Sequence, residues 1–310
     1  MMNSTIAILV PCHNEELTIT TVINDFKSAL PQANIYVYDN ASTDNTAEAA
    51  KKAGAIIYKE KNIGKGNVIR RMFSDIEADI YIMVDGDDTY EAQKCAEMVD
   101  QMISNNLDMV IGVRKTSNSD GEYRKGHIFG NWMLTAFVSL IFGNGFSDML
   151  SGYRVMSRRF VKSFPAMSKG FEIETEMTIH ALQLGVSYAE KDTIYNSRPE
   201  GSESKLSTLK DGVRILTMIT LLFKEEKPFY FFSIMSLLFF LISLVFSLPI
   251  LITYLETGLV PRIPTAILST GLMIISFLCL VSGVILDSLS RSRLESKRLI
   301  YLQYKSPKQN

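Results

Sequence analysis

Two stretches of this chain contain no charged residue at all, Phe229 to Leu255 and Ile263 to Leu286. Each is longer than the roughly 20 apolar residues a helix needs to cross a bilayer. A core helix of a water-soluble fold keeps some polar face, and two such runs in succession leave none. The sequence therefore predicts two membrane spans, the first kinked at Pro249, with Glu256 to Arg262 as the turn of a hairpin. A hairpin returns the chain to the side it left, so residues 1–228 and the tail share a compartment. The tail carries Arg291, Arg293, Lys297, Arg298, Lys305 and Lys308, whereas the hairpin loop has only Arg262. By the positive-inside tendency, both termini are expected in the cytoplasm, on a multi-pass protein of the cell membrane.

The rest of the 310 residues is long enough for one substantial domain. A net charge of -1 gives no reason to expect nucleic acid as a partner. Cys12, Cys95 and Cys279 are far apart and form no CxxC pair, which fits a reducing compartment. The N-terminus lacks a basic n-region, and its apolar run stops at Pro11, so it does not read as a signal peptide.

Before the spans, short apolar runs alternate with helical patterns. Strands are expected at Ile6 to Val10, Ile35 to Tyr38, Ala55 to Tyr58, Ile80 to Val84 and Met109 to Val113. Helices are expected from Glu16 to Leu30, stopped by Pro31, and from a cap at Thr43 or Asp44 to Ala53. This βαβα order predicts a mostly parallel sheet with helices on both faces, and ligands at the carboxyl ends of its strands. Three of those ends are polar: Pro11-Cys12-His13-Asn14-Glu15, Asp39-Asn40, and Asp85-Gly86-Asp87-Asp88.

The last of these ends a buried strand in three carboxylates, with Gly86 allowing the turn. Two unit charges about 4 Å apart repel by about 4 kcal/mol at an effective dielectric of about 20. A hard cation reverses that sign, so Asp85 and Asp87 are candidate ligands for Mg²⁺ or Mn²⁺, completed by substrate phosphate oxygens; the alternative is a solvated acidic turn. Asn62-Ile63-Gly64-Lys65-Gly66-Asn67 is neither a Walker loop nor a dinucleotide fingerprint. It reads either as a flexible turn or as backbone amides and Lys65 facing a phosphate-bearing ligand.

Val10 to Glu15, Asp39 to Asp44, the Asn62 to Gly66 segment and the DxD resemble, in order and spacing, family 2 glycosyltransferases of the A-type fold. Ser147-Asp148-Met149-Leu150-Ser151-Gly152-Tyr153-Arg154, Lys169 to Glu174 and Arg198 to Leu206 are similar to the branch that glycosylates polyprenyl phosphates, the dolichyl-phosphate mannose synthase and bactoprenol glucosyltransferase group. The resemblance implies an α/β, Rossmann-like domain at 1–205 ahead of the two-helix hairpin at 229–287 and the basic tail at 288–310; Leu206, Leu209, Val213 and Leu216 recur at helical spacing and predict a juxtamembrane amphipathic helix at 206–228, with a core helix as the alternative. It also implies that Pro11, Asn14, Glu15, Asp39, Lys65, Asp85 and Gly86 bind a UDP-sugar donor, with Asp85 and Asp87 on the metal.

The implied acceptor, undecaprenyl phosphate, carries close to two negative charges and is already an ionised nucleophile. Its approach to a diphosphate calls for cations, and the arginine fork pairs bidentately with phosphate. Arg114, Arg124 and Arg154 are the candidates on the acceptor side; Arg198 and Lys205 belong to a loop closing over the donor. Asp87, Asp148 and Arg154 are the candidate catalytic residues, with Asp148 and Glu174 only secondary candidates for a carboxylate base. Glu172, Glu174 and Glu176 cannot all share one helical face. His127 and His180 have no ligand-like spacing and are expected in packing or in a polar network. The expected reaction is inverting transfer of glucose or N-acetylglucosamine, with mannose as the alternative sugar and homo-oligomerisation left open. A processive polysaccharide synthase is disfavoured, because the single Trp132 follows Gly130-Asn131 rather than completing a Gln-x-x-Arg-Trp signature. A non-catalytic nucleotide-sugar-binding membrane subunit is the rival from another class.

Overall fold

The computed structural model describes residues 4–116, 136–140, 145–196, 217 and 220–307. Arg124, His127, Trp132, Arg198, Lys205 and most of the expected 206–228 helix lie outside the described residues. The chain divides into two compact units, 1–213 with 296–310, and 214–295.

The first unit is built on β1 (Ile6–Cys12), α1 (Ile19–Ala29), β2 (Asn34–Asp39), α2 (Thr46–Lys52), β3 (Ile56–Lys59), α3 (Lys65–Asp75), β4 (Ile80–Met83), α4 (Lys94–Ser104) and β5 (Met109–Thr116). Next come β6 (Arg154–Ser157), α5 (Arg158–Ser163), α6 (Ile173–Leu184) and β7 (Tyr188–Tyr195). The strands form one seven-stranded sheet in the order β3-β2-β1-β4-β6-β5-β7. This is the mostly parallel, Rossmann-like sheet of the A-type glycosyltransferase fold. β1 and β4 are buried almost end to end because helices cover both faces, and α1 and α4 contribute Ile19, Val22, Ile23, Phe26, Cys95, Met98, Val99 and Met102 to the core.

Register determines where the chemistry collects. Cys12 pairs with Asp39 across β1 and β2, and Leu9 pairs with Met83 across β1 and β4, so three strands end along one edge. β6 departs from the parallel pattern: it lies between β4 and β5 and runs antiparallel to both. Its first residue, Arg154, pairs with Met83, so the segment just before it arrives at the same carboxyl edge. An antiparallel strand is what brings residues 148–153 into the site.

In the second unit, α7 (Pro228–Thr257) and the first part of α8 (Ile263–Leu302) are long and apolar enough to cross a membrane. Pro249 is accommodated within α7, and Gly258 ends the helix in the left-handed region at φ 69°. The two helices meet through small residues seven apart. Ser236 and Ser276 hydroxyls are 3.1 Å from each other, Ser243 donates to the Ser269 carbonyl at 2.8 Å, and a Cβ on Gly283 would lie 3.0 Å from the Phe232 Cβ. Small residues bring backbones close, and that approach is what holds helices together where no hydrophobic force separates protein from lipid.

α8 continues helical well past residue 288, because no proline or glycine interrupts it and Asp287 pairs with Arg291 one turn on. Its last turns belong to the first unit. There Lys297 donates to Gln183, and Arg298 donates to the Leu184 carbonyl at the end of α6, where a cation complements the helix dipole.

Candidate active site

The carboxyl edge of β1, β2 and β4 gathers four acidic side chains around one thiol. Cys12 is buried, and burial pushes its thiol well above the usual range; the fields of Glu15, Asp85, Asp39 and Asp87 add to the effect. Residues from three strand ends, from Cys12 to Asp87 in the chain, therefore share one small volume. Gly86 makes this possible, since a Cβ there would lie 2.7 Å from the Cys12 sulfur. Its carbonyl accepts a 2.6 Å hydrogen bond from Thr18, which ties the turn to the start of α1.

The nucleoside-side candidates are held in a cross-braced loop pair. Asn14, at φ 54°, accepts the Thr43 amide hydrogen at 2.8 Å, while its own amide donates to Ser42. The Glu15 amide donates to Thr46, and Asp39 accepts from the Ser42 amide at 3.0 Å. Asp39 thus forms the turn at the carboxyl end of β2. Pro11 is in β1 opposite Tyr38. Asn40 is the brace that sequence reasoning missed: it donates to the Glu60 and Asn62 carbonyls and accepts from the Gly64 amide.

The two DxD carboxylates have different surroundings. Asp87 is buried and accepts from the Thr89 hydroxyl at 2.6 Å. Asp85 is 29% exposed and meets the Lys65 ammonium at 2.5 Å. Gly152 gives Asp85 its place, since a Cβ there would lie 2.6 Å from Asp85 Oδ2, and the Gly152 amide donates to the Tyr90 hydroxyl. Neither Gly152 nor Tyr90 was singled out by the sequence, although Gly152 sits inside a motif that was.

Lys65 also meets Glu174 at 2.5 Å. Burial alone would push this ammonium down, but Asp85 and Glu174 outweigh it and hold the group well above its ordinary value. Burial raises the Glu174 carboxyl against the opposing pull of Lys65, with Asp85 adding to the rise. The second Glu174 oxygen, Oε2, is buried and has no hydrogen-bond partner among the described residues. Several amides of the glycine-rich segment are engaged within the protein. Its Asn62, Gly64 and Gly66 amides are spent on Glu60, Asn40 and Lys169, because the segment packs directly against residues 168–169. The Lys65 side chain reaches Asp85 and Glu174.

Two further candidates are corrected. Arg154 is wholly buried and donates to the Met149 and Ser151 carbonyls and to Thr178. It fixes the 148–153 segment from inside rather than meeting an acceptor phosphate, and burial pushes it down to about 10. Asp148 is not a free base: Arg114 grips it bidentately at 2.7 Å through each of two nitrogens. Burial would raise this carboxyl, but Arg114 outweighs burial and holds it below the usual range. Arg114 also stacks over Tyr195. His180 fills the core between Phe160 and Phe164, as expected of a packing residue. Glu174 points to Lys65, while Glu176 accepts the Met167 and Ser168 amides, so the glutamate series does divide between faces.

Among the described residues, no three acidic, imidazole or thiol groups are gathered so as to hold a metal unaided. The pair still fits a Mg²⁺-type ion, which takes one or two carboxylates and completes its shell with substrate phosphates. Asp85 is already partnered by a cation, the Lys65 ammonium, in a space that Gly152 keeps open.

Comparisons with known proteins identify the family and the fold. The chain is 35% identical over 229 residues to Glycosyltransferase AglJ of Haloferax volcanii, covering 74% of this chain and 75% of that one. It is 21% identical over 212 residues to the undecaprenyl-phosphate mannosyltransferase of Micrococcus luteus, covering 64% and 86%. Among solved structures, glucosyl-3-phosphoglycerate synthase from Mycobacterium tuberculosis in complex with Mn²⁺, uridine diphosphate and phosphoglyceric acid superposes with a TM-score of 0.57 at 20% identity, covering 71% of this chain and 78% of that one. Residues 7–164 match Glycosyl transferase family 2, and the chain belongs to that family of sugar-transferring enzymes.

Proposed function

We propose that this glycosyltransferase moves a hexose from a UDP-sugar to undecaprenyl phosphate at the cytoplasmic face of the membrane, with inversion at the anomeric carbon. Glucose and N-acetylglucosamine are the leading sugars. The observation that carries the reading is the convergence of Asp85, Asp87 and Lys65 at one sheet edge, in a chain that also has two span-length helices. The name of the Micrococcus luteus relative supports the acceptor class, and the Mn²⁺ and uridine diphosphate in the synthase structure support the donor class.

Asp85 and Asp87 would hold a Mg²⁺ or Mn²⁺ ion, which would supply charge neutralisation at the departing diphosphate, an effect worth several kcal/mol. Asn14, Glu15 and Asp39 orient the nucleoside on their braced loops. Lys65 adds a fixed positive charge beside the diphosphate. The acceptor phosphate is ionised at neutral pH and needs no strong base, which agrees with Asp148 being committed to Arg114. Arg124 remains proposed for the acceptor, and Arg198 and Lys205 for closure over the donor.

The test is to incubate the purified full chain with radiolabelled UDP-glucose or UDP-N-acetylglucosamine, Mg²⁺ and undecaprenyl phosphate. A chloroform-soluble, acid-labile product is expected, and its absence with every donor overturns the reading in favour of a binding subunit. GDP-mannose belongs in the same screen, because the relative from Micrococcus luteus is named for mannosyl transfer.

A further inference from the structure

Lys65 bridges two carboxylates that have different futures once a donor is bound. Asp85 lies beyond the end of β4 and is 29% exposed, whereas the Glu174 side chain is 4% exposed in the first turn of α6. The Lys65–Glu174 contact is framed by backbone. Arg70, on the same helix as Lys65, donates to the Ala166, Met167 and Ser168 carbonyls, and the Gly66 amide donates to Lys169. From the other side, Glu176 accepts the Met167 and Ser168 amides. The start of α3 and the start of α6 are thus clasped through one segment, and Lys65 and Glu174 are carried on its two sides.

A divalent ion and an ammonium cannot both sit at bonding distance from one carboxylate oxygen without strong repulsion. Lys65 holds Asp85 Oδ1, so a metal that takes this oxygen must displace Lys65 from it. Glu174 Oε2, buried and unpartnered among the described residues, is a ready acceptor for the ammonium hydrogen that Asp85 gives up. We propose that Glu174 is a positioning residue: it retains Lys65 beside the donor diphosphate while the incoming divalent ion takes Asp85, so that Lys65 and the metal compete for Asp85 in the empty enzyme. This deepens the donor-site reading above and rests on it. The competition keeps the acidic edge compensated when no donor is present and delivers both cations when one arrives.

The test is Mn²⁺ binding to the full chain in detergent, measured by electron paramagnetic resonance without nucleotide and again with UDP. Without nucleotide, Lys65→Met binds Mn²⁺ about tenfold tighter than the parent, the order expected when a competing unit charge leaves a partly exposed carboxylate. Glu174→Gln shifts the other way, because Lys65 then has only Asp85 as a charged partner. The double variant Lys65→Met/Glu174→Gln leaves no unpaired charge at position 174, guards against misfolding, and again binds Mn²⁺ more tightly than the parent. With UDP present, all three hold the nucleotide more weakly. Single variants that move Mn²⁺ affinity in the same direction, or leave it unchanged, overturn the competition while leaving the donor reading intact. A parent chain that takes no Mn²⁺ even with UDP overturns the donor reading itself.

Discussion

Asp85 and Asp108 are both carboxylates of the sheet unit gripped by a basic side chain, yet they are built for different ends. Asp108 is fully buried with both oxygens occupied: Oδ1 accepts from Ser157 and from Arg159 Nε, and Oδ2 accepts from Arg159 Nη2 and, at 2.8 Å, from the Tyr301 hydroxyl. The Tyr301 ring also lies under the Arg159 guanidinium, 4.8 Å away. Around Asp85 the account is left open, with part of the carboxylate exposed and a Glu174 oxygen unpartnered next door. A saturated ion network fixes a fold, and one with spare acceptors is ready to exchange partners.

The largest test of that contrast is Asp85→Asn. Sugar transfer should fall about 10³-fold, the equivalent of losing several kcal/mol of metal stabilisation, while the melting temperature holds or rises as like charges are relieved. The mirror experiment is Asp108→Asn. It leaves Arg159 partly buried without its counter-ion and should cost about 3 kcal/mol in a denaturant titration, with transfer per folded molecule unchanged. Equal losses of activity in both variants would erase the distinction between the two networks.

Much of this division was invisible in the sequence for a definite reason. β1, β2, β4 and β5 were legible because each is an apolar run ending in a turn, and their parallel order placed Asp39, Asp85 and Asp87 at one edge before any coordinates. β6 was not, since it opens with Arg154, whose charge hides a buried strand, and its direction depends on pairing with β4. Lys65 was named for its motif, but its partner lies 109 positions away on α6, and no periodicity connects the two. Arg114 and Asp148 were assigned separate roles because sequence shows each charge and not the bidentate pair that joins them. The span-length runs were plain, whereas the docking of Tyr301 on Asp108 rests on one hydroxyl at the end of a helix.

A further distinction concerns pH. His180 is buried among aromatic rings, and burial, reinforced by Lys297, depresses it to about 3. The unfolded chain protonates this imidazole near its ordinary value of about 6.5, so the unfolded state binds more protons between these limits. Stability is therefore full above about pH 6.5 and falls as pH drops toward 3, by about 2 kcal/mol at pH 5 from this group. Melting curves of the parent and His180→Gln should differ in slope across that range, the variant being flatter; parallel slopes would remove His180 from the acid response. The smallest effect belongs to Tyr301→Phe, which deletes one hydrogen bond from the saturated network and should cost about 1 kcal/mol. A loss in transfer activity larger than the loss in folded fraction would show that the tail contact serves the reaction as well as the fold.

The most direct measurement is calorimetric titration of UDP into the full chain with Mn²⁺, with a chelator, and with Asp85→Asn. The account predicts that UDP binds with Mn²⁺, that chelation weakens it at least about tenfold, and that Asp85→Asn gives the same weak binding whether or not metal is present. UDP affinity that ignores both the chelator and the substitution would contradict a donor site built on the carboxylate edge.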